Sequence, residues 1–553
     1  MLRKKDMLLK NGPLVATTYD TIYNKFKWEV PEYYNFGFDV VDKWAEDRTK
    51  LALISVKENG EDPQFHTFYE LKLLTNKFAN ILQSLGLKRG DRVLIILQSI
   101  PQWYIAMIGM FKLGGVPMPG TVLLTSKDIA YRINQAEASM VITDLAHTAR
   151  VEEVAGICPT LCHKMVVNGE MKGWLSFEQE MVNASPLLNK ENLPPTKSDD
   201  PLLLYFTSGT TGQPKMVLHT HKYPLGHYVT AYFAQALTPT DLHWTLSETG
   251  WAKAAWGKLF GQMLLGAAII QREASKGFNP YAVLRIIERY GVTTFCAPPT
   301  VYRMMIQLDL KQYKLNLRHC MSAGEPLNPE VIKIWKNIFG LNIYEFYGQT
   351  ETVAILANYL FMPLKYGSIG KPTPGHDVRI VDYEGNELPA GEEGNIALRL
   401  NGIRPPGLMR EYWKDANAMA SSFRGEFYYT GDRAYRDEDG YFWFVGRDDD
   451  IIKSSGYRIG PFEVENALIA HPAIAECAVV GVEDPKGIRG TLVKAFIVLA
   501  QGYNPSSDLT SDIQEYVKKT TALYKYPRLV EYVQELPKTI SGKILRRELR
   551  KMK

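Results

Sequence analysis

The chain alternates short, continuously apolar runs with longer stretches in which apolar residues recur at helical spacing. Asp91-Arg-Val-Leu-Ile-Ile-Leu-Gln98 reads as a buried strand. The residues around Trp103–Lys112 follow as a helix, and Gly115-Val-Pro-Met-Pro-Gly120 as a strand ending in a turn. A helical stretch at Ile129–Glu137 leads to a further short strand, Ser139-Met-Val-Ile-Thr-Asp144. Strand, helix and strand in repetition predict parallel βαβ units with helices on both sheet faces. Pro201-Leu-Leu-Leu-Tyr-Phe206 is another buried strand, and it delivers the chain directly into a glycine-rich loop.

The pattern changes around Val378–Leu400, where apolar segments joined by turns read as hairpin strands, and Glu438–Gly446 repeats it. Three aspartates, Asp448 to Asp450, then precede a compact segment with its own helices and strands. About a hundred residues remain there, enough for one small domain. A chain of 553 residues exceeds what one core supports. The predicted fold is α/β. A large N-terminal domain, residues 1–448, has mixed and parallel sheets flanked by helices plus a β-subdomain. A small α+β C-terminal domain spans residues 449–553.

Composition changes this picture little. Hydrophobic residues make up 46% and charged residues 22%, the balance of an ordinary soluble globular protein. The net charge of +4 is too slight to make nucleic acid the main partner. The basic stretch Met1–Lys10 lacks the apolar core of a secretory signal, and the apolar run Leu259–Ile270 is too short to span a bilayer. Five scattered cysteines, an odd number, fit a reducing compartment, and a cytoplasmic protein is expected. Cys158, Cys162 and His163, like His219, His221 and His227, lack the partners that would complete a metal site, so structural roles are expected for both groups.

Three segments carry candidate chemistry. Thr207-Ser208-Gly209-Thr210-Thr211-Gly212-Gln-Pro-Lys215 combines hydroxyl donors, glycines that admit backbone N–H groups to an anion, and a lysine. It is not a P-loop, since Gln213 and Pro214 follow Gly212. Such a loop is also compatible with an ordinary turn. Tyr344–Glu351 offers an aromatic for a base, Thr350 for a phosphate and Glu351 as a hard oxygen ligand for Mg²⁺; a strand end with a surface carboxylate is the plainer alternative. Asp432, in Tyr429-Thr-Gly-Asp432, suits the two hydroxyls of a ribose, with Arg447 fifteen residues on; a turn-capping aspartate reads equally well.

Taken in order, the phosphate loop, Gly324-Glu325-Pro326, Tyr347-Gly348-Gln349-Thr350-Glu351, Thr430-Gly-Asp432, Gly446-Arg447-Asp-Asp449, Gly456-Tyr-Arg458 and Thr539-Ile-Ser-Gly-Lys543 resemble the motif series of AMP-forming acyl-CoA synthetases. The resemblance runs from about residue 40 to the C-terminus. Finer features, among them Pro117–Thr121, Glu248-Thr-Gly-Trp251, Pro299–Arg303 and Ser454–Pro461, are similar to the medium-chain branch, although Glu248 stands where that branch commonly has aspartate.

This resemblance implies ATP-dependent ligation of a carboxylic acid (medium-chain fatty, aromatic or alicyclic) to coenzyme A through an acyl-AMP. Thr207–Lys215 would hold the β- and γ-phosphates, Gly324–Pro326 would border adenine, and Asp432 would take the ribose hydroxyls. Thr207, Glu351 and Lys543 would be catalytic, with Mg²⁺ on Glu351. The C-terminal domain would be a mobile lid hinged at Asp449, with Ser454, Ser455, Gly456 and Arg458 on the coenzyme A side. Trp251 and Gly348 would line the acyl pocket. Synthetases restricted to acetate have tryptophan at the position of Gly348, so glycine is expected to leave room for a larger acid, and Gly348→Trp to shift preference towards acetate. No nucleic-acid partner and no transmembrane segment are expected; monomer and homodimer both remain open. A standalone adenylation enzyme serving a carrier protein is the alternative.

Overall fold

A computed structural model describes residues 18–207, 214–273, 278–454, 457–484, 491–538 and 544–552. The chain is α/β, built on two large sheets with a helical layer between them. One sheet has nine strands, in the order Lys371–Pro372, Ala354–Ala357, Ile343–Gly348, His319–Ser322, Thr294–Ala297, Leu242–Thr245, Ala268–Arg272, Leu51–Val56 and Gln64–Thr67. Its middle is parallel and both edges are antiparallel. The other has five parallel strands, ordered Val116–Pro119, Arg92–Ile96, Met140–Asp144, His163–Val167 and Leu175–Ser176. The βαβ expectation is met here, with each strand within two residues of its apolar run.

The helix Pro101–Leu113 shows why the layers hold. Proline at its first turn costs no hydrogen bond, and Gly114 closes it at φ 78°, a left-handed position that favours glycine. Almost every residue between is buried, because sheet and helices cover it all round. Lys112 survives there by pairing with Asp42 at 2.6 Å and Asn76 at 2.7 Å. Beside it, helix Phe68–Ser84 begins with a capping box between Thr67 and Glu70.

Pro201–Phe206 departs from the parallel pattern. It pairs antiparallel with Met216–Thr220, which in turn pairs with Glu411–Tyr412. The glycine-rich loop therefore joins two strands of a hairpin rather than a strand and a helix. Further on, Asp377–Val381, Gly394–Arg399, Phe427–Arg436, Phe423–Arg424 and Phe442–Arg447 form the expected antiparallel sheet. After Asp450 come a two-stranded ribbon, Ile452–Ser454 with Tyr457–Ile459, and a three-stranded sheet of Ile474–Glu483, Thr491–Leu499 and Leu529–Tyr532. Helices Pro461–Ile469 and Ser507–Thr520 pack on it around a separate core that includes Val464, Leu468, Val479, Ile497 and Ile513.

Candidate active site

Thr207, Lys215, Gly324–Pro326, Tyr347–Glu351, Thr430–Asp432 and Gly446–Asp449 line one cleft of about 1500 Å³. Its best-defined corner is built by two neighbouring strands. Asp432, on Phe427–Arg436, lies opposite Arg447 on Phe442–Arg447, and their side chains approach to 3.6 Å. The Tyr347 hydroxyl and the Gln349 amide, 2.7 Å away, both donate to Asp432 Oδ2. Gln349 also donates to the Thr430 carbonyl at 2.8 Å, while the Tyr428 hydroxyl donates to its amide oxygen at 3.0 Å. Each group is thus held by a second, and the Asp432 carboxylate has a fixed orientation. Six residues, Tyr347, Gln349, Tyr428, Thr430, Asp432 and Arg447, form this network.

Glu351 follows on the same segment and receives the Tyr412 hydroxyl at 2.7 Å. Burial pushes its carboxyl up from the usual carboxylate range, with the Tyr412 hydrogen bond working against that shift. Lys215 lies over the Tyr412 ring at 4.9 Å. The Thr207 N–H donates to the Lys215 carbonyl at 2.9 Å, which pins the two ends of the phosphate loop together. Ser208, Gly209, Thr210, Thr211 and Gly212 between them lie outside the described residues. Buried His219 donates from Nε2 to the Thr350 carbonyl at 2.8 Å, so one of the expected structural histidines anchors the site from behind. Among the described residues no group of three or more His, Cys, Asp or Glu is placed to hold a metal.

Gly324 takes φ 105°, which only glycine adopts without strain, and the Gly324-Glu325-Pro326 segment is held at both ends. Lys253 donates to the Ala323 carbonyl at 2.8 Å, and the Leu327 N–H donates to Glu345 at 2.6 Å. Glu325 lies 4.0 Å from Arg303. Glu345 was not singled out from sequence. Burial pushes its carboxyl up to about 8, with the Leu327 N–H opposing that shift, and it lines the cleft beside the Gly324 segment.

The acyl side requires a correction. Gly348 and Trp251 line the cleft, but the space beside Gly348 is not open. A Cβ there would lie 2.2 Å from the Val353 carbonyl oxygen and 2.8 Å from Trp256 Cη2. Trp256, on helix Ala252–Lys258, occupies that space, so no side chain at position 348 is needed to close it. A tryptophan placed at 348 would strike backbone before reaching the pocket.

Ser454 is buried on its ribbon strand. Ser455, Gly456 and Lys543 lie outside the described residues, as does the side chain of Arg458. Ile544 and Leu545, which follow Lys543, line the same cleft. Asp449 accepts from Arg447 Nε at 3.3 Å, while neighbouring Asp450 pairs with Arg550 at 2.5 Å.

The family model of AMP-binding enzymes matches residues 41–413, and that of the AMP-binding enzyme C-terminal domain matches residues 463–543. The chain belongs to the AMP-binding enzyme family. Within it, this enzyme is an acyl-coenzyme A synthetase by descent. It is 48% identical to the acyl-coenzyme A synthetase ACSM3, mitochondrial, of Mus musculus, over 98% of this chain and 94% of that one. Among solved structures it resembles the anthranilate CoA ligase AuaEII in complex with anthranoyl-AMP (TM-score 0.86, 31% identity, covering 94% of this chain and 98% of that one). It also resembles a benzoate CoA ligase from Burkholderia xenovorans (TM-score 0.83, 27% identity, 94% and 100%).

These relatives overturn the expectation of a cytoplasmic protein, since the ACSM3 synthetases of mouse and human are both named mitochondrial. Five free cysteines report reducing surroundings and do not say which compartment supplies them. No helix among the described residues is long and apolar enough to cross a membrane.

Proposed function

We propose that this enzyme activates a carboxylic acid with ATP and transfers it to coenzyme A, releasing AMP and pyrophosphate. The observation that carries this reading is the convergence of Tyr347, Gln349, Asp432 and Arg447, with Glu351 and the ends of the phosphate loop, on a single cleft. Asp432 Oδ2 is taken by Tyr347 and Gln349, and Oδ1 faces Arg447, which turns the carboxylate as ribose hydroxyls require. Glu345, protonated near neutral pH and wedged beside Gly324–Pro326, suits the edge of adenine.

A carboxylate is a poor acylating agent because its leaving group is oxide. Its oxygen attacks the α-phosphorus, pyrophosphate departs, and the resulting mixed anhydride carries AMP as a good leaving group. In the second step the thiolate of coenzyme A attacks the acyl carbon and AMP leaves. Negative charge grows at the α-phosphorus in the first step, and cations fixed nearby stabilise it. Lys543 fills that role in this reading, as a compact charge on a flexible stem, supported by the cleft-lining position of Ile544 and Leu545 just after it. Lys215, beside Tyr412, and the Thr207–Gly212 hydroxyls and amides hold the departing phosphates.

Glu351 fits a Mg²⁺ ligand: it is one hard carboxylate on the cleft wall, the donor set Mg²⁺ takes when phosphate oxygens and water complete its shell. Magnesium would neutralise phosphate charge there. The C-terminal domain, beginning at Asp449, alternates between the two steps. The ion pairs made separately by Asp449 with Arg447 and by Asp450 with Arg550 and Arg546 bracket that hinge. Ser454, Ser455, Gly456 and Arg458 serve the pantetheine side.

Medium-chain fatty, aromatic and alicyclic acids are the candidate substrates; the names of the anthranilate and benzoate CoA ligases support the aromatic class, and this reading extends the mitochondrial location of the ACSM3 relatives to the chain. Incubation with ATP, Mg²⁺ and coenzyme A against acetate, butyrate, hexanoate, octanoate, benzoate and cyclohexanecarboxylate tests the proposal. Matched AMP and thioester are expected; AMP without thioester would transfer the reading to carrier-protein acylation.

A further inference from the structure

Lys112 and Lys258 are both buried, and the way their charges are met differs. Lys112 has a carboxylate and an amide within 2.7 Å and is satisfied inside the fold. Lys258, 3% exposed at the end of helix Ala252–Lys258, donates to the Ser99 hydroxyl at 2.9 Å, its one hydrogen-bond partner among the described residues. An ammonium carries three donors, so two remain unspent. The described residues give it no ion pair; Glu248 acts on it only through space. Glu248 is held by the Val122 and Gly250 N–H groups at 3.3 and 3.2 Å. Burial draws Lys258 down to about 8, and burial raises Glu248 to about 6 against the opposing hydrogen bonds from Val122, Gly250 and Thr121. Ser99, Glu248 and Lys258 line the cleft together with Trp251, Ala252 and Trp256. Trp251 caps the helix that Lys258 ends, and both line the cleft.

We propose that Lys258 and Glu248 select an acid bearing a neutral oxygen substituent, a hydroxyl or keto group, remote from the reacting carboxylate. This rests on the ligase reading above. A plain alkyl chain in this part of the cleft would offer Lys258 no acceptor, whereas a substituent oxygen would supply one. Glu248 beside it brings the local charge near zero, which disfavours a second carboxylate and suits a neutral group. A site built to hydrogen-bond a substrate oxygen rejects the analogue lacking it far more strongly than an apolar pocket rejects a methylene.

The test compares kcat/KM for levulinate against pentanoate, and for hydroxybenzoates against benzoate, in the wild type and in Lys258→Met. A preference for the oxygenated acid of about tenfold or more is expected in the wild type. Lys258→Met should abolish it while leaving KM for ATP and coenzyme A unchanged. If Glu248 alone in an apolar wall prevents folding, the Lys258→Met/Glu248→Gln double variant keeps the wall neutral and carries the same expectation. Equal ratios in wild type and variant overturn the inference. So does glutarate outcompeting levulinate, and so does an unmoved acid preference with a raised KM for coenzyme A, which would assign Lys258 to the pantetheine arm. Wild type that ligates acids without this selectivity removes the inference alone; wild type that forms no AMP with any acid removes the ligase reading itself.

Discussion

In the proposed reading Trp256 bounds the acyl pocket, and truncating it is expected to change chain-length preference. Its indole tip lies 2.8 Å from where a Cβ on Gly348 would stand, and the residue is 6% exposed. Trp256→Ala removes the ring and opens that volume to the acyl chain. Each methylene that enters gains about 0.8 kcal/mol of transfer free energy, or about fourfold in kcat/KM. Hexanoate and octanoate differ by two methylenes, so their ratio should rise about fifteenfold in octanoate's favour. The same truncation costs stability, about 3 kcal/mol if the cavity stays as found, because one side of the ring already faces the cleft. AMP release and thioester formation, followed together for both acids, supply the ratio; a thermal melt shows that the variant is folded. A folded variant with the wild-type ratio would show that Trp256 does not bound the acyl chain. Gly348→Trp, by contrast, should lose activity towards every acid rather than gain acetate, because its Cβ meets the Val353 carbonyl at 2.2 Å.

Asp432→Asn keeps the shape but removes the charge facing Arg447; KM for ATP should rise about tenfold or more with little change in KM for the acid, measured by steady-state kinetics. Burial raises the Glu345 carboxyl to about 8 in the folded chain, well above the ordinary 4.5 of a glutamate, so its protonated form is the one the fold favours. Its contribution is full below pH 4.5 and is lost as pH rises through about 8. Glu345→Gln should therefore melt progressively higher than wild type as pH goes from 5 to 8, and parallel melting curves against pH would contradict this. Lys543→Ala should cripple acyl-AMP formation yet largely spare thioester formation from supplied acyl-AMP; equal loss in both half-reactions would show that Lys543 acts elsewhere.

Much of the fold was legible because its strands are short and buried on both faces. Arg92–Ile96, Met140–Asp144 and Pro201–Phe206 appear in the sequence as unbroken apolar runs. What periodicity does not carry is strand direction. Pro201–Phe206 has the same composition as a parallel strand, yet its partner after the glycine-rich loop runs antiparallel. In the site, residues inside motifs were readable, although the contact of Tyr347 and Gln349 with Asp432 was not foreseen from sequence. The supporting residues were not. Tyr412 reaches Glu351 across 61 positions, and Glu345 contacts the Leu327 N–H across 18. Neither has a local pattern, since their roles arise from sheet pairing. Gly348 shows the same limit from the other side: a glycine signals a missing side chain, but which neighbour fills the space is a property of packing.

In the proposed reaction the carboxylate itself attacks the α-phosphorus of ATP. Supplying an acid whose carboxylate oxygens are isotopically heavy, with ATP, Mg²⁺ and coenzyme A, and weighing the phosphorus products tests it directly. One heavy oxygen should appear in AMP and none in pyrophosphate, because the acyl–oxygen bond breaks when coenzyme A displaces AMP. Heavy oxygen in inorganic phosphate, with ADP as the nucleotide product, would contradict the account.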